Sequence, residues 1–297
     1  MKLFFPLMIL AFLLLSPPAA PGEILVVQSL PIKPYNDALQ GFRAVCKSKI
    51  NKLVGPELSE SEIIANVRKK RPELILAIGM DSLLKLKVIK DVPIVYLMVL
   101  NPKTLLRDGG NITGVSMNIA PEKQFSIIQE VLPHIRKIGI LFDPDKTGFY
   151  VGRAYNAASL MGMELLTKKV HSSREAVAAM DGLKGKVDAL WLLPDTTVVN
   201  PATIDLLLLS SIENKIPVIT FSDKYAEKGA LISMEVDAVE SGKQAGEMAL
   251  RILGGEDVKG IMDEDSRDSV LTVNLIVAKK LGIPINANVI KHARVIR

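Results

Sequence analysis

Leu74-Ile-Leu-Ala-Ile78 and Ile94-Val-Tyr-Leu-Met-Val99 are short apolar runs, and the loop Gly79-Met-Asp-Ser82 follows the first directly. Runs of this length without polar alternation read as strands of a parallel sheet buried on both faces. Working outward, the same signature recurs at residues 24–27, 138–142, 189–193 and 218–221. Helical patterns lie between them. Residues 35–45 place Ala38, Leu39, Phe42 and Val45 on one face. The stretch 59–68 opens on Ser59-Glu-Ser-Glu62, a capping-box arrangement. Pro121 followed by Glu122 suits the first turn of a helix reaching Val131, and 200–214 is Leu-rich.

Strand–helix–strand alternation builds right-handed parallel units, and here it runs through twice. The first series ends near Gly110-Asn-Ile-Thr-Gly-Val-Ser116 and the second opens at Lys137. The expected fold is therefore α/β, with two doubly wound parallel-sheet lobes. A strand at 230–234, a helix at 239–253 stopped by Gly254-Gly255, and a strand-then-helix tail at 270–282 follow. The acidic stretch 263–268 reads as an exposed connector between them.

Composition narrows the function. The 297 residues suggest about two domains, and 48% hydrophobic content excludes disorder. The net charge is +5, but 37 basic and 32 acidic residues are interspersed, and the longest basic run, Arg68-Lys-Lys-Arg71, suits a solvated helix end. A nucleic-acid binder would cluster its basic residues on one face, so none is expected. Cys46 is the lone cysteine, and His134, His171 and His292 share no ligand spacing, so neither a disulfide nor a metal centre is expected. There is no Gly-x-Ser-x-Gly elbow, no P-loop and no dinucleotide Gly-x-Gly-x-x-Gly. No cofactor and no catalytic residue is therefore assigned. Lys2, the apolar stretch 3–15 and the small, Pro-rich 16–22 describe a cleaved secretory signal peptide ending near Gly22. No cysteine follows to carry a lipid, which points to an exported, periplasmic or otherwise extracytoplasmic protein.

In open parallel sheets, ligands bind beyond the carboxyl ends of the strands. Five such loops are legible: 28–34, 79–82, 143–148, 194–197 and 222–223. An amino-acid ligand needs an anion site and a cation site. Helix-start N–H groups with hydroxyls from Ser82, Thr147, Thr196 or Thr197 suit a carboxylate. Asp195, first, or Asp223 suits an ammonium. Ser29, Asp81, Asp143 and Glu235, the last just after the strand at 230–234, complete the candidate set. Trp191 sits inside a strand and is read as core. Tyr35 and Phe149, just after strand-end loops, are the better aromatic candidates, and Tyr35 is carried into the ligand set.

Four segments resemble the ABC-transporter substrate-binding proteins of the tryptophan/tyrosine type, which have the type I periplasmic-binding-protein fold. They are 110–116; Pro121-Glu-Lys-Gln-Phe125 with Val131-Leu-Pro133; Leu193-Pro-Asp-Thr-Thr-Val198; and Leu271-Thr-Val-Asn-Leu275 with Ala278-Lys-Lys-Leu-Gly282. Ile216-Pro-Val-Ile-Thr-Phe221, Lys228-Gly-Ala-Leu231 and 240–249 stand in the family's order between the last two. The resemblance implies a hinge crossed three times, with lobe 1 as 23–116 plus 236–260 and lobe 2 as 117–235 plus 261–297, after a signal peptide at 1–22. It further implies a monomeric receptor that delivers a small ligand, an amino acid and possibly an aromatic one, to an ABC permease. The family commonly shows Asp-Asn-Thr where Asp195-Thr-Thr197 stands, and Asn-Pro-Ser where Asp143-Pro-Asp145 stands. An exported sensor for a membrane receptor, or a periplasmic α/β enzyme, is the alternative. A regulator of the lac-repressor type has no room for its DNA-binding head before the first strand.

Overall fold

The apolar strands expected from the sequence form the interior of two separate sheets. The structure is a computed structural model that describes residues 23–106 and 110–297. The expected signal peptide lies outside the described residues. Among those described, no helix is long and apolar enough to cross a membrane.

The chain opens with β1 (Ile24–Gln28), α1 (Lys33–Val45), β2 (Ile50–Val54), α2 (Glu60–Lys70), β3 (Leu74–Ile78), α3 (Met80–Leu86), β4 (Ile94–Val99) and β5 (Ile112–Ile119). The second series is α4 (Pro121–Val131), β6 (Lys137–Phe142), α5 (Pro144–Leu160), β7 (Glu164–Lys169), α6 (Ser173–Asp181) and β8 (Ala189–Trp191). It continues with α7 (Ile204–Glu213), β9 (Val218–Thr220), α8 (Asp223–Lys228) and β10 (Ile232–Val236). The chain closes with α9 (Ala238–Leu253), β11 (Glu264–Ser266), β12 (Ser269–Asn274), α10 (Leu275–Leu281), α11 (Ala287–His292) and β13 (Arg294–Ile296).

The first sheet has the order β11-β5-β4-β3-β1-β2, and the second β13-β12-β10-β9-β8-β6-β7. Every pairing in the first sheet is parallel. The second departs from the all-parallel expectation at one place, where β12 runs antiparallel to β10. The reason for unbroken apolar runs is visible in β1. Ile24 and Val26 pack into one core cluster while Leu25 and Val27 pack into another on the opposite face. Edge strands escaped the sequence reading for the converse reason. β2 and β7 are half exposed and carry polar residues, so neither reads as an apolar run.

Ser59 and Glu62 form the capping box of α2 as expected. The helix at the end of the second series, α9, returns to the first sheet and packs backbone to backbone on α1. A Cβ on Gly41 would lie 1.9 Å from the Val239 carbonyl oxygen, and one on Gly242 would lie 1.9 Å from that of Ala38. Glycine is required at both places by close approach.

The acidic stretch 263–268 is not simply an exposed connector. Its centre is β11, paired with β5 at the edge of the first sheet, with Ser266 buried. The first-sheet part of the chain therefore runs past the boundary expected at 260. Among the described residues the chain passes between sheets at three places: β5 into α4, β10 into α9, and β11 into β12. Arg153 of α5 crosses the same gap to reach Asp265 of β11 at 2.5 Å, and Ser116 donates to the other oxygen of Asp265 at 2.9 Å.

Candidate functional site

Within each sheet the strands run in the order 2-1-3-4-5 of a doubly wound fold, so each has a switch point where neighbouring loops diverge. In the first sheet it lies between β1 and β3, and in the second between β6 and β8. Most of the sequence-selected residues cluster at these two points, Asp223 and Glu235 excepted, and Ser29, Ser82, Asp143, Thr147, Asp195 and Thr197 turn their side chains towards one another.

At the first switch point, Ser29 and Ser82 join their hydroxyls at 3.0 Å, and the Ser82 N–H donates to Ser29 Oγ at 2.9 Å. Tyr35 lies over Gly79, whose φ is +93° and whose Cβ would sit 2.7 Å from the tyrosine ring. Burial, then the exposed Asp81 carboxylate, raises the Tyr35 phenol above its usual range.

At the second switch point, Asp195 is 1% exposed. Its Oδ2 accepts the Asp143 N–H at 2.8 Å and the Thr147 hydroxyl at 2.6 Å. Its Oδ1 accepts the Thr197 and Val198 N–H groups at 2.9 and 3.4 Å. The Thr197 hydroxyl donates in turn to Asp143 Oδ2 at 2.7 Å, holding that carboxyl below the usual carboxylate range. Lys146 donates to the Thr196 hydroxyl on the surface. Asp195, expected from the sequence to meet an ammonium, thus has both oxygens facing protein donors and does not line the cavity described next. Asp223 is placed in the same way. Its Oδ1 accepts from Ser233 at 2.5 Å and Thr272 at 2.8 Å, and its Oδ2 pairs with Arg294 at 3.1 Å.

Between the two sheets lies a cavity of about 300 Å³. Pro34, Met98, Leu100 and Asn101 contribute from the first sheet's side, and Thr147, Tyr150, Leu193 and Phe221 from the second. Residues 117–119 and 234–236, at two of the chain crossings, close it. The walls are mostly apolar. Of the sequence-selected residues, Thr147 and Glu235 are here. Among the described residues, Glu235 is the cavity's one carboxylate. Burial, then the neighbouring Asp223 charge, raises its pKa above the usual glutamate range, against an opposing pull from the Asp223 backbone and Arg294.

Trp191 is both core and wall. It is 1% exposed and meets Phe125 and Tyr150 edge-on, with ring centroids 5.1 and 6.0 Å away, yet it lines the cavity. Phe149 is 58% exposed and lines instead a neighbouring, more polar chamber with Arg153 and Asp265. The sequence reading missed Gln124, Tyr150, Asn118 and Met234. For three of them the available signal was position: Asn118 and Met234 flank crossings and Gln124 sits in the quoted segment 121–125, whereas Tyr150 lies inside α5. Among the described residues, Asp143, Asp145 and His171 bring potential metal-ligand atoms within 4.8 Å of one another. Asp143 is committed there to Thr197 and the Asp145 N–H, and the other two are exposed.

Residues 47–296 match the profile of the family described as ABC transporter substrate binding protein. The chain belongs to that family. The Tyrosine-binding protein of Clostridioides difficile (strain R20291) is 27% identical over 214 residues, 69% of this chain. The aligned part spans about 61% of the length of that relative. Among solved structures, a ligand-free, open substrate-binding protein with adhesive properties from Clostridium difficile superposes with TM-score 0.72 at 24% identity, covering 93% of this chain and 99% of that one. An ABC domain in complex with L-Trp from Streptococcus pneumonia gives TM-score 0.62 at 23% identity over 93% and 99% of the two chains. The fold of this substrate-binding protein is the type I periplasmic-binding-protein fold of those neighbours.

Proposed function

We propose that this chain is the extracytoplasmic receptor of an ABC importer, and that it closes over one amino acid with a large apolar, aromatic side chain. The observation that carries this reading is the cavity between the sheets, apolar-walled, edged by Trp191 and Phe221, and lined by the Glu235 carboxylate. Its volume of about 300 Å³ is at the lower end of small-ligand sites. The side chain would lie against Trp191, Phe221 and Met234. The ammonium would pair with Glu235, replacing Asp195 in the role expected from the sequence. The ligands named for the two amino-acid-binding relatives are of this class. The proposal includes export after cleavage near residue 22, a monomeric state, lobe motion about the three crossings, and delivery to a permease without catalytic turnover.

The test is native mass spectrometry of the protein as purified, followed by thermal shift against the twenty amino acids. Ligand at about 100 times its Kd adds roughly 2.7 kcal/mol. Stabilisation by tryptophan, tyrosine or phenylalanine supports the reading. A flat response to all amino acids, with a shift for sugars or nucleosides, overturns it.

A further inference from the structure

One buried polar side chain at the cavity wall has a fixed orientation. Gln124 donates from Nε2 to the Ile119 carbonyl at 3.1 Å and to the Tyr150 hydroxyl oxygen at 2.5 Å. Tyr150 donates its own proton to the same Ile119 carbonyl at 2.6 Å. A reversed amide would set Gln124 Oε1 against a carbonyl oxygen, which can only accept. The amide therefore has one orientation, and both Nε2 hydrogens are committed. Burial raises the Tyr150 phenol far above its usual range, so that hydroxyl stays protonated. The whole trio thus has no free donor to offer. Gln124 Oε1 receives no hydrogen bond among the described residues, and the side chain, 8% exposed, lines the cavity beside Trp191.

We propose that Gln124 Oε1 is the specificity-determining acceptor of the cavity, selecting aromatic amino acids whose ring carries an O–H or N–H over those whose ring carries none. This rests on the aromatic amino-acid reading above and adds to it the choice among aromatic ligands. A donor on the ring satisfies the amide oxygen. A bare ring strips water from that oxygen and leaves it unpaired, a cost that falls on the wrong ligand alone. Tyr150 acts here as a positioning residue, holding the amide from the side of its donors.

The test compares ligand pairs that differ in one donor: L-tyrosine with L-phenylalanine, and L-tryptophan with L-benzothienylalanine, in which sulfur replaces the indole N–H. Calorimetry on the wild-type protein should show the donor-bearing member of whichever pair binds to be tighter by about tenfold or more. Gln124→Met, which keeps the length without the amide, should bring the ratio to within about twofold. If thermal melting shows that variant unfolded, Gln124→Asn, whose shorter side chain withdraws the oxygen, makes the same comparison. Equal wild-type affinities within a pair overturn this inference and leave the aromatic site standing. A ratio that persists in a folded variant overturns it too, since the acceptor is then elsewhere. Failure of all four compounds to bind overturns the reading of the site itself.

Discussion

The Thr147 hydroxyl donates to Asp195 Oδ2 at 2.6 Å, joining the helix that starts after β6 to the loop that follows β8. With three backbone N–H groups also aimed at it, the Asp195 carboxylate holds the second switch point together. Asp195→Asn places an amide donor against at least one of these donors. We expect it to destabilise the ligand-free protein by about 1–3 kcal/mol in urea melts. Ligand affinity should change by less than about threefold, well under 1.4 kcal/mol. A tenfold affinity loss at unchanged stability would return Asp195 to the binding site.

Glu235 should make stability depend on pH in the opposite sense to a paired carboxylate. Its pKa is raised on folding by burial, so the folded state holds the proton more tightly than the unfolded one. Stability from this group is present below the ordinary glutamate pKa and is lost as pH rises through the raised value. The difference in unfolding free energy between wild type and Glu235→Gln should therefore move in favour of the variant across that window. The same substitution should weaken an amino-acid ligand at neutral pH by about tenfold or more. Wild-type affinity should fall as acid protonates Glu235.

Asp143 is the paired case. The Thr197 hydroxyl lowers its pKa, so its contribution is present above the ordinary aspartate range and lost as pH falls through the lowered value. Thr197→Val removes that donor. Carboxyl titration by NMR should show the Asp143 pKa rising, and acid unfolding should begin at higher pH.

Arg153 and Asp265 join parts of the chain built on different sheets. Both side chains are partly exposed, so their pairing is worth about 1 kcal/mol at most in water. Arg153→Met should shift the ensemble towards separated lobes. Small-angle scattering on the ligand-free variant should give a larger radius of gyration than wild type, with the difference shrinking at high salt. Equal radii would mean that the pair does not resist opening.

Gly242→Ala should be costly although it adds one methyl group. The new Cβ would meet the Ala38 carbonyl oxygen at 1.9 Å, and neither backbone can yield without parting α1 from α9. Overpacking of this kind costs about 1–3 kcal/mol, read as a lower denaturant midpoint.

Much of the fold was legible because a strand buried on both faces has to be apolar at every position. β1, β3 and β4 are such strands. β11 was not legible, since Glu264-Asp-Ser266 has the composition of a loop. Its pairing with β5 and the contacts of Asp265 with Arg153 and Ser116 come from remote parts of the chain. Trp191 was legible as core, but nothing local says that a core side chain also forms a cavity wall.

By itself, the sequence determined two series of buried parallel strands and the loops at their carboxyl ends, because burial periodicity and helix starts are local properties. Ser29, Ser82, Asp143, Thr147, Asp195 and Thr197 lie at those ends as expected. Only the tertiary structure decided what these polar groups face. Asp195 and Asp223 meet donors from segments 48 or more residues away in sequence, and are used up in holding loops and strands. Glu235, at a crossing between the sheets, meets no comparable set among the described residues beyond the Asp223 backbone and the Arg294 charge, and lines the cavity. Whether a carboxylate binds ligand or binds its own protein depends on which donors the fold brings within hydrogen-bond reach.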